Sequence, residues 1–430
     1  MRNRITRRTL LKAATGLPLI VPASALGKDG AVAPSDRVVM GLIGTGWQGM
    51  NNVRSFLDEP QAQIVALCDI ERNHLGQALE AVNAAYGNTD CRTYHEMDEL
   101  FARSDIDAVS MTLPDHWHGV ASMRALRAGK DVYGEKPLAH NWAEGRAIAD
   151  GVARYGRVWQ TGSWQRSRAT FRFACELVRN GRIGKVNRVE VGLPGGHTDF
   201  DGLGHLDSPQ PPPDTLDWDR WLGPAPYAPY CPARAHKTWR WNFDYGGGML
   251  LDWVGHHVDI AHWGLDLDRT GPTEVSATGE FSAASRVWNT PVKFRVTAKY
   301  SNGAAIFISG GYEDVRLGAK FIGDEGWIWV DRSGIEAEPR SLLAKRITGD
   351  EIRLPVSTSH HRDFLECVKS RRTPLTPAET ALRSATPAYL GLISIITKRN
   401  IRWDPARERI PGDSEAERYL SRPMRGPWHL

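Results

Sequence analysis

The sequence predicts an α/β chain. A doubly wound parallel sheet comes first, and an α+β part built on an open, mostly antiparallel sheet follows. Three observations predict this. Over residues 37–160, short apolar runs alternate with segments of helical periodicity. A glycine triplet in G-x-G-x-x-G spacing joins the first apolar run to the first helical segment. Beyond residue 270, strand-like runs follow one another with no helix between them.

The chain opens on a leader. "TRRTLLKAA" holds the paired Arg7 and Arg8, and an apolar stretch from Ala13 to Val21 follows. "ASA" at Ala23 to Ala25 has the small-x-small pattern of a cleavage site. The apolar stretch falls short of the roughly 20 residues a bilayer span needs, and no other run is long enough. This order of features predicts a twin-arginine signal, hence folding in the cytoplasm and export to the periplasm by the twin-arginine machinery. The other reading is a disordered basic arm.

Residues 1–25 hold five basic residues and no acidic one, so setting them aside turns 54 basic against 50 acidic into 49 against 50. The formal charge then falls from +4 to −1, which leaves no case for a nucleic-acid partner. The five cysteines are scattered and contain no Cys-x-x-Cys, so they make no disulfide framework. The expected organisation is a leader and linker (1–35), a nucleotide-binding domain (36–160), a sheet domain (161–375), and a C-terminal helix and tail packing back on the body (376–430).

In the first domain, "RVVMGLIG", "QIVALCD", "DAVSMTL", "KDVYGEKP" and "GRVWQTG" read as strands. Residues 115–129 and 141–155 read as helices, and 168–180 as one more. "NRVEVGL" begins the second domain. A stretch rich in Pro, Gly and Trp then runs over 194–237, too aromatic for disorder and long enough to suggest function. "TEVSATGEF", "VKFRVTAKY", "AAIFISG", "AKFIG" and "GWIWV" supply the second sheet, and helices around 362–370 and 378–398 close the chain.

The glycines of "GLIGTGWQG" have separate tasks. Gly44 permits a tight turn, Gly46 lets backbone approach a pyrophosphate, and Gly49 lets helix and strand pack closely. The helix that follows offers unpaired N–H groups to the phosphates. Asp69 ends the next strand, 20 residues after Gly49, as a ribose-binding carboxylate does. An acid there favours NAD over NADP, although Arg72 stands nearby.

Lys136 lies in "YGEKPLAH", at the carboxyl end of a sheet strand, where ligands of such sheets bind. It reads either as a surface ion pair with Glu135 or as a catalytic cation. In "LLDWVGHHVDIAHW", Asp252 and His256 are four apart and share one helix face. A carboxylate beside an imidazole would orient it and raise its basicity. A structural histidine is one alternative. A metal site is the other, but no pattern supplies further ligands and no metal is expected.

"GTGWQG", Asp69, "TLPDHWH", "EKP" and the Asp-x-x-x-His of "GGGMLLDWVGHH" occur in the order found in the Gfo/Idh/MocA oxidoreductases, which this chain resembles over most of its length. The resemblance implies that Lys136 is the catalytic lysine, Asp252 its partner and His256 the acid–base residue. It also implies that Pro114 and His118 line the nicotinamide pocket, that the Lys136–Pro137 bond is cis, and that the chain forms a dimer or tetramer. The cofactor contacts expected are Gly44, Thr45, Gly46, Trp47, Gln48, Gly49, Asp69, Pro114, His118, Glu135, Lys136 and Gln165.

The expected chemistry is oxidation of a ring hydroxyl of a sugar, glycoside or cyclitol. His256 takes the proton, Lys136 steadies the oxygen, and a nicotinamide accepts the hydride. Trp218, Trp221, Trp239, Trp241, Trp253 and Trp263 suit either sugar stacking or packing. Arg166, Arg240, Tyr245 and His257 are candidate substrate contacts, with Gln165 and Arg166 placed where the domains meet. An exported enzyme meets no pool of fresh NAD, so the cofactor is expected to be captive. Turnover would then be ping-pong between two sugars, or redox-neutral glycoside cleavage as in the NAD-dependent α-N-acetylgalactosaminidases. A non-catalytic sugar-binding scaffold is the reading from another class.

Overall fold

The computed structural model describes residues 32–430, and the leader reading falls on residues outside these. The first sheet has six parallel strands in the order β3-β2-β1-β4-β5-β6. They are β1 (Val38–Ile43), β2 (Ala62–Cys68), β3 (Arg92–Tyr94), β4 (Ala108–Met111), β5 (Asp131–Gly134) and β6 (Trp159–Thr161). The strand order reverses at β1, and the crevice at the carboxyl ends of β1 and β4 is where such sheets take ligands. The reading missed β3. It is a three-residue edge strand, mostly exposed, and carries no apolar run to reveal it.

Helices cross over between the strands; those expected at 115–129 and 141–155 are present, and two more that the reading did not name lie at 72–86 and 97–101. They include α1 (Trp47–Leu57), α2 (Arg72–Tyr86), α3 (Met97–Phe101), α4 (Asp115–Arg127) and α5 (Trp142–Tyr155). The side chain of Asn141 accepts from the backbone N–H of Glu144 at 3.0 Å, and Gly156 ends α5 in a left-handed turn. After α6 (Ala169–Arg179) comes an eight-stranded sheet in the order β13-β12-β11-β7-β10-β9-β8-β14. Besides β7 and β10 its strands are β8 (Glu274–Glu280), β9 (Lys293–Lys299), β11 (Gly318–Gly323), β12 (Trp327–Val330), β13 (Ile335–Glu338) and β14 (Ile401–Arg402). Only β7 (Val186–Leu193) and β10 (Ala305–Gly310) pair in parallel; the other neighbours are antiparallel. This mixed sheet agrees with the expected second part.

One face of the second sheet is covered by α11 (Ala378–Thr397), which also packs against α5 of the first domain. Tyr389 on α11 donates to the carbonyl of Ala139 at 2.6 Å, and Arg146 on α5 pairs with Glu379 at 2.7 Å. The stretch 194–237 is ordered around an aromatic cluster of its own. Trp218 and Trp221 stack at 4.7 Å, and Tyr230, Trp239 and Tyr245 pack with them. Backbone bonds tie it to the first domain, from Asp217 N–H to the Ile70 carbonyl and from Arg72 N–H to the Thr215 carbonyl. All five cysteines are buried and free. No helix of the described residues is long and apolar enough to cross a membrane.

His116, His118, His256, His257, His262 and His360 are buried. Burial disfavours the imidazolium and lowers all six, His116 to about 3 and His257, His262 and His360 to about 4. The unfolded chain therefore takes up protons below pH 6.5 that the folded chain refuses. Stability is full above that pH and falls on acidification, by about 1.4 kcal/mol per pH unit for each histidine. The buried carboxyls of Asp115, Glu144 and Asp259 are raised by burial and offset part of this. Urea denaturation at pH 7.5 and 5.0 is expected to show the lower stability at pH 5.0. A gain at pH 5.0 would mean that the carboxyls dominate.

Candidate active site

The glycine loop lies between β1 and α1. Gly44 has φ +79°, and a Cβ there would sit 2.1 Å from the Thr112 carbonyl oxygen. A Cβ at Gly49 would lie 2.1 Å from the Gly44 carbonyl oxygen, so α1 packs directly on the turn. At Gly46 the nearest atoms are those of the His74 ring, 3.6 Å away, and the loop is open to a cavity of about 500 Å³. Thr45, Trp47, Gln48 and Asp69 line the same cavity. Asp69 Oδ2 accepts from the backbone N–H of Thr45 at 2.6 Å and from its hydroxyl at 2.9 Å, which ties the loop to the end of β2. Arg72 turns away and donates to the Asp214 carbonyl.

The opposite wall comes from the second domain and the tail. Trp221, Lys237, Trp239 and Arg240 face the glycine loop, and Trp428 closes the end beside Trp117 and Arg124. Trp117 and Trp428 meet edge to face at 4.8 Å, and the Arg124 guanidinium lies 4.7 Å over the Trp428 ring. The tail is pinned by Arg422, which donates to Glu144 and the His116 carbonyl, each at 2.7 Å. Arg425 pins it again through the Gly223 carbonyl at 3.0 Å. Sequence reasoning set the tail against the body but missed that it and Trp117 line this cavity. "MRGPWHL" has no periodicity or motif, and only the packing of the folded chain brings it here.

Beyond Arg240 lies the polar cluster. Lys136 follows β5, and its Nζ donates to Asp252 Oδ1 at 3.0 Å and to the Asp252 carbonyl at 2.7 Å. Arg240 Nε donates to the same Oδ1 at 3.0 Å. Burial alone would raise the Asp252 carboxyl, but Lys136 and Arg240 outweigh it and hold it well below the carboxylate range. Two cations at hydrogen-bond distance also leave this carboxylate poorly suited to a metal. Glu135 is not the partner of the Lys136 ammonium. Its Oε1 accepts from Asn52 at 3.0 Å and Gln48 at 3.2 Å, and its Oε2 from the Lys136 backbone N–H at 3.3 Å. The Lys136–Pro137 bond is cis.

Asp252 does not orient His256. α8 (Gly248–Trp253) gives way to a π-helical turn (Val254–Val258) before α9 (Asp259–Gly264) begins. This wider turn breaks the i, i+4 register, so Asp252 turns to Lys136 and Arg240 and makes no hydrogen bond to His256. Gly255 sits within the turn, and a Cβ there would come 2.9 Å from the Lys136 Cβ. That approach brings Lys136 and His256 to one site. The His256 Nδ1 is buried with no hydrogen-bond partner among the described residues. Burial, then Lys136, Arg332 and His257, hold its imidazole well below the ordinary value and keep it neutral.

Other expected contacts lie elsewhere. Arg166 does not face the cleft. It is buried and forked onto Asp259 (2.7 and 2.8 Å) and Asp268 (2.7 and 2.9 Å), a structural pin. Tyr245 is wholly buried against Trp221 and His116. His257 is buried and accepts from Gln165 Nε2 at 3.3 Å. Gln165 Oε1 in turn accepts from Arg332 Nε at 3.0 Å, so Gln165 holds side chains in place and is not among the residues lining the nucleotide cavity. Pro114 lines that cavity. His118 does not. Its buried ring braces two loops between the Pro137 carbonyl (2.7 Å) and the Leu113 carbonyl (2.9 Å). Trp241 and Trp263 are core residues.

A dinucleotide-binding sheet whose cavity runs toward a Lys–Asp–Arg cluster, with a sheet domain closing over it, defines a two-domain NAD-binding oxidoreductase fold. The chain belongs to the Gfo/Idh/MocA family. The oxidoreductase-family NAD-binding Rossmann fold matches residues 38–163, and the family's C-terminal alpha/beta domain matches 163–430. One relative is the 1-carboxy-3-chloro-3,4-dihydroxycyclohexa-1,5-diene dehydrogenase of Comamonas testosteroni, 26% identical over 320 residues, covering 73% of this chain and 66% of that protein. An alpha-N-acetylgalactosaminidase of Shewanella oneidensis is 30% identical over 145 residues, 31% of each chain. The matched stretch thus spans about two thirds or less of these relatives. A dehydrogenase from Bordetella pertussis, solved with NADH and UDP-GlcNAcA, shares the fold at 18% identity and a TM-score of 0.59, over 86% of this chain and 99% of that one.

Two outcomes test this geometry. Lys136→Met removes a cation beside His256 and should raise the His256 pKa toward the ordinary imidazole value, as read from the NMR titration of its ring. No change would assign the whole effect to burial. Arg166→Met leaves two aspartates facing each other in the core and should cost about 3–5 kcal/mol in urea denaturation. A loss under 1 kcal/mol would show that Asp259 and Asp268 find other partners or protons.

Proposed function

We propose that the protein oxidises a ring hydroxyl of a sugar, glycoside or cyclitol, with NAD held tightly in the cavity between its domains. The observation that carries this reading is the junction of that cavity with the Lys136–Asp252–Arg240 cluster beside a neutral His256. The residues fit the cofactor. The open side of Gly46 and the first N–H groups of α1 suit a pyrophosphate. Asp69 suits a ribose and repels a 2′-phosphate, and Arg72 beside it turns away toward Asp214, which favours NAD over NADP. Bound there, a nicotinamide supplies hydride transfer.

The chain's own residues then do the rest. Lys136 has three ammonium N–H donors, and two are taken by Asp252. The third is free to bind the substrate oxygen and stabilise the negative charge that develops on it. His256, neutral, accepts the hydroxyl proton. Asp252 and Arg240 hold the Lys136 ammonium in place. Gfo/Idh/MocA membership and the dehydrogenase relatives support this reading. The galactosaminidase relative favours a second one, redox-neutral glycoside cleavage, in which oxidation and reduction cancel over one turnover.

Export through the twin-arginine pathway gives the second domain and the tail a purpose, since a periplasmic enzyme must keep its cofactor. A homo-oligomer would seal it further. Denatured holoprotein, after extensive dialysis, is expected to release about one NAD per chain. Protein lacking residues 421–430, which lose Arg422, Arg425 and Trp428, should release little. Full retention by the shortened chain would show that the tail does not confine the nucleotide. Lys136→Met and His256→Ala should each lower turnover of a responding sugar or glycoside by about 10²–10⁴-fold. Unchanged turnover in both would show that neither residue carries the chemistry, and no turnover of any sugar or glycoside by the unmodified protein would leave only a binding scaffold.

A further inference from the structure

Arg332 and Arg168 meet on the Trp164 ring, near His256, and neither has an acidic partner among the described residues. Arg332 stands in the turn between β12 (Trp327–Val330) and β13 (Ile335–Glu338). Its guanidinium lies 4.8 Å over the Trp164 ring and 4.8 Å over the Trp253 ring, clamped between them. Its Nε donates to Gln165, so the stem is fixed and both terminal nitrogens are left free. The Arg168 guanidinium lies over the same Trp164 ring at 5.8 Å. Among the described residues, neither arginine has a carboxylate within salt-bridge distance.

The position matters. Trp253 and Trp164 flank the His256 ring edge-on, with centroids 5.2 and 6.4 Å away. Arg332 is therefore one aromatic ring from the proposed base. Asp331 is the acid beside it, but its Oδ1 is engaged by Ser333 and the Gly334 N–H of its own turn. Asp252 is shared between Lys136 and Arg240. Neutral Gln165, His256 and His257 complete the surroundings. Four cations thus face this side of the site, where Asp252 is already shared and Asp331 is engaged in its own turn. Burial and the neighbouring Arg168 charge lower the Arg332 pKa, as expected of a cation held without an anion.

We propose that Arg332, assisted by Arg168, binds a carboxylate on the ring whose hydroxyl meets His256, so that the substrate is a uronic acid, a uronide or a cyclitol carboxylate. A planar guanidinium held by its stem with both terminal nitrogens free matches a carboxylate in a two-pronged bond. The aromatic clamp spares most of the entropy cost of ordering the side chain. The proposal rests on the ring-hydroxyl reading given above and narrows its substrate class.

The test uses dialysed holoprotein and matched pairs: glucuronate with glucose, galacturonate with galactose, mannuronate with mannose. Equilibrium binding is measured by calorimetry, and the absorbance of the bound nicotinamide is followed separately. At least one uronate is expected to bind about 10- to 100-fold tighter than its neutral partner. Raising the salt concentration should shrink that preference. Arg332→Met should abolish it without changing binding of the neutral sugar, Arg168→Met should weaken it, and Arg332→Lys should keep part of it. Retention of NAD by each variant checks that it is folded. Equal binding of every pair by the unmodified protein overturns the proposal, and so does a preference that survives Arg332→Met. A uronate preference with no change in nicotinamide absorbance under any ligand would uphold the carboxylate site and sink the hydroxyl-oxidation reading instead.

Discussion

The carboxylate of Asp252 is the contact on which the site depends. One oxygen receives both Lys136, from the end of a strand in the first domain, and Arg240, from a turn in the second. Two cations would repel each other across this gap, and the shared acid holds them together. It also aims the ammonium, because two of its three donors are committed to Asp252 and the third has one direction left. The same bond joins the domains at the mouth of the nucleotide cavity. Loss of the acid would leave two unpaired cations facing each other and remove this contact between the domains.

Around that contact the chain arranges burial so that charges keep separate roles. His256 is buried next to a cation and stays neutral, while Asp252 is held ionised by two cations. Asp115, wholly buried nearby, is pushed up by burial and by Asp252, the opposite direction from Asp252 itself. Environment, not residue type, sets these states. The aromatic residues divide in the same way. Trp241 and Trp263 fill the core, Trp218 and Trp221 build the small hydrophobic cluster of the covering loop, and Trp164 and Trp253 stand at the open side and hold Arg332.

A long loop and a C-terminal tail complete the nucleotide cavity, and neither belongs to a regular element. The loop is ordered because its tryptophans and tyrosines bury one another, with backbone bonds fastening it to residues 70 and 72. The tail is ordered by Arg422 and Arg425, whose partners lie at least 200 residues away or are loop carbonyls. Such segments close a cavity without stiffening the sheet beneath it.

The sequence alone determined the two sheets and the glycine turn, and it singled out Asp69, Lys136, Asp252 and His256, which the fold places at the nucleotide cavity and the polar cluster beyond it. Period-two and helical patterns and short glycine motifs are local signals, and each is written within a few residues. Where the local reading failed, the cause was distance. The i, i+4 spacing of Asp252 and His256 implied a pair, but a π turn and the approach of Gly255 to Lys136 gave Asp252 a partner 116 residues away. Arg166 looked available beside the domain junction, yet packing set it between Asp259 and Asp268. Arg332 drew no notice in a polar turn, and only the folded sheet brings it to Gln165, 167 positions earlier. Tertiary structure decided which charge meets which, because a hydrogen bond is directional and short, and nothing in a linear chain states where its two ends will come within 3 Å.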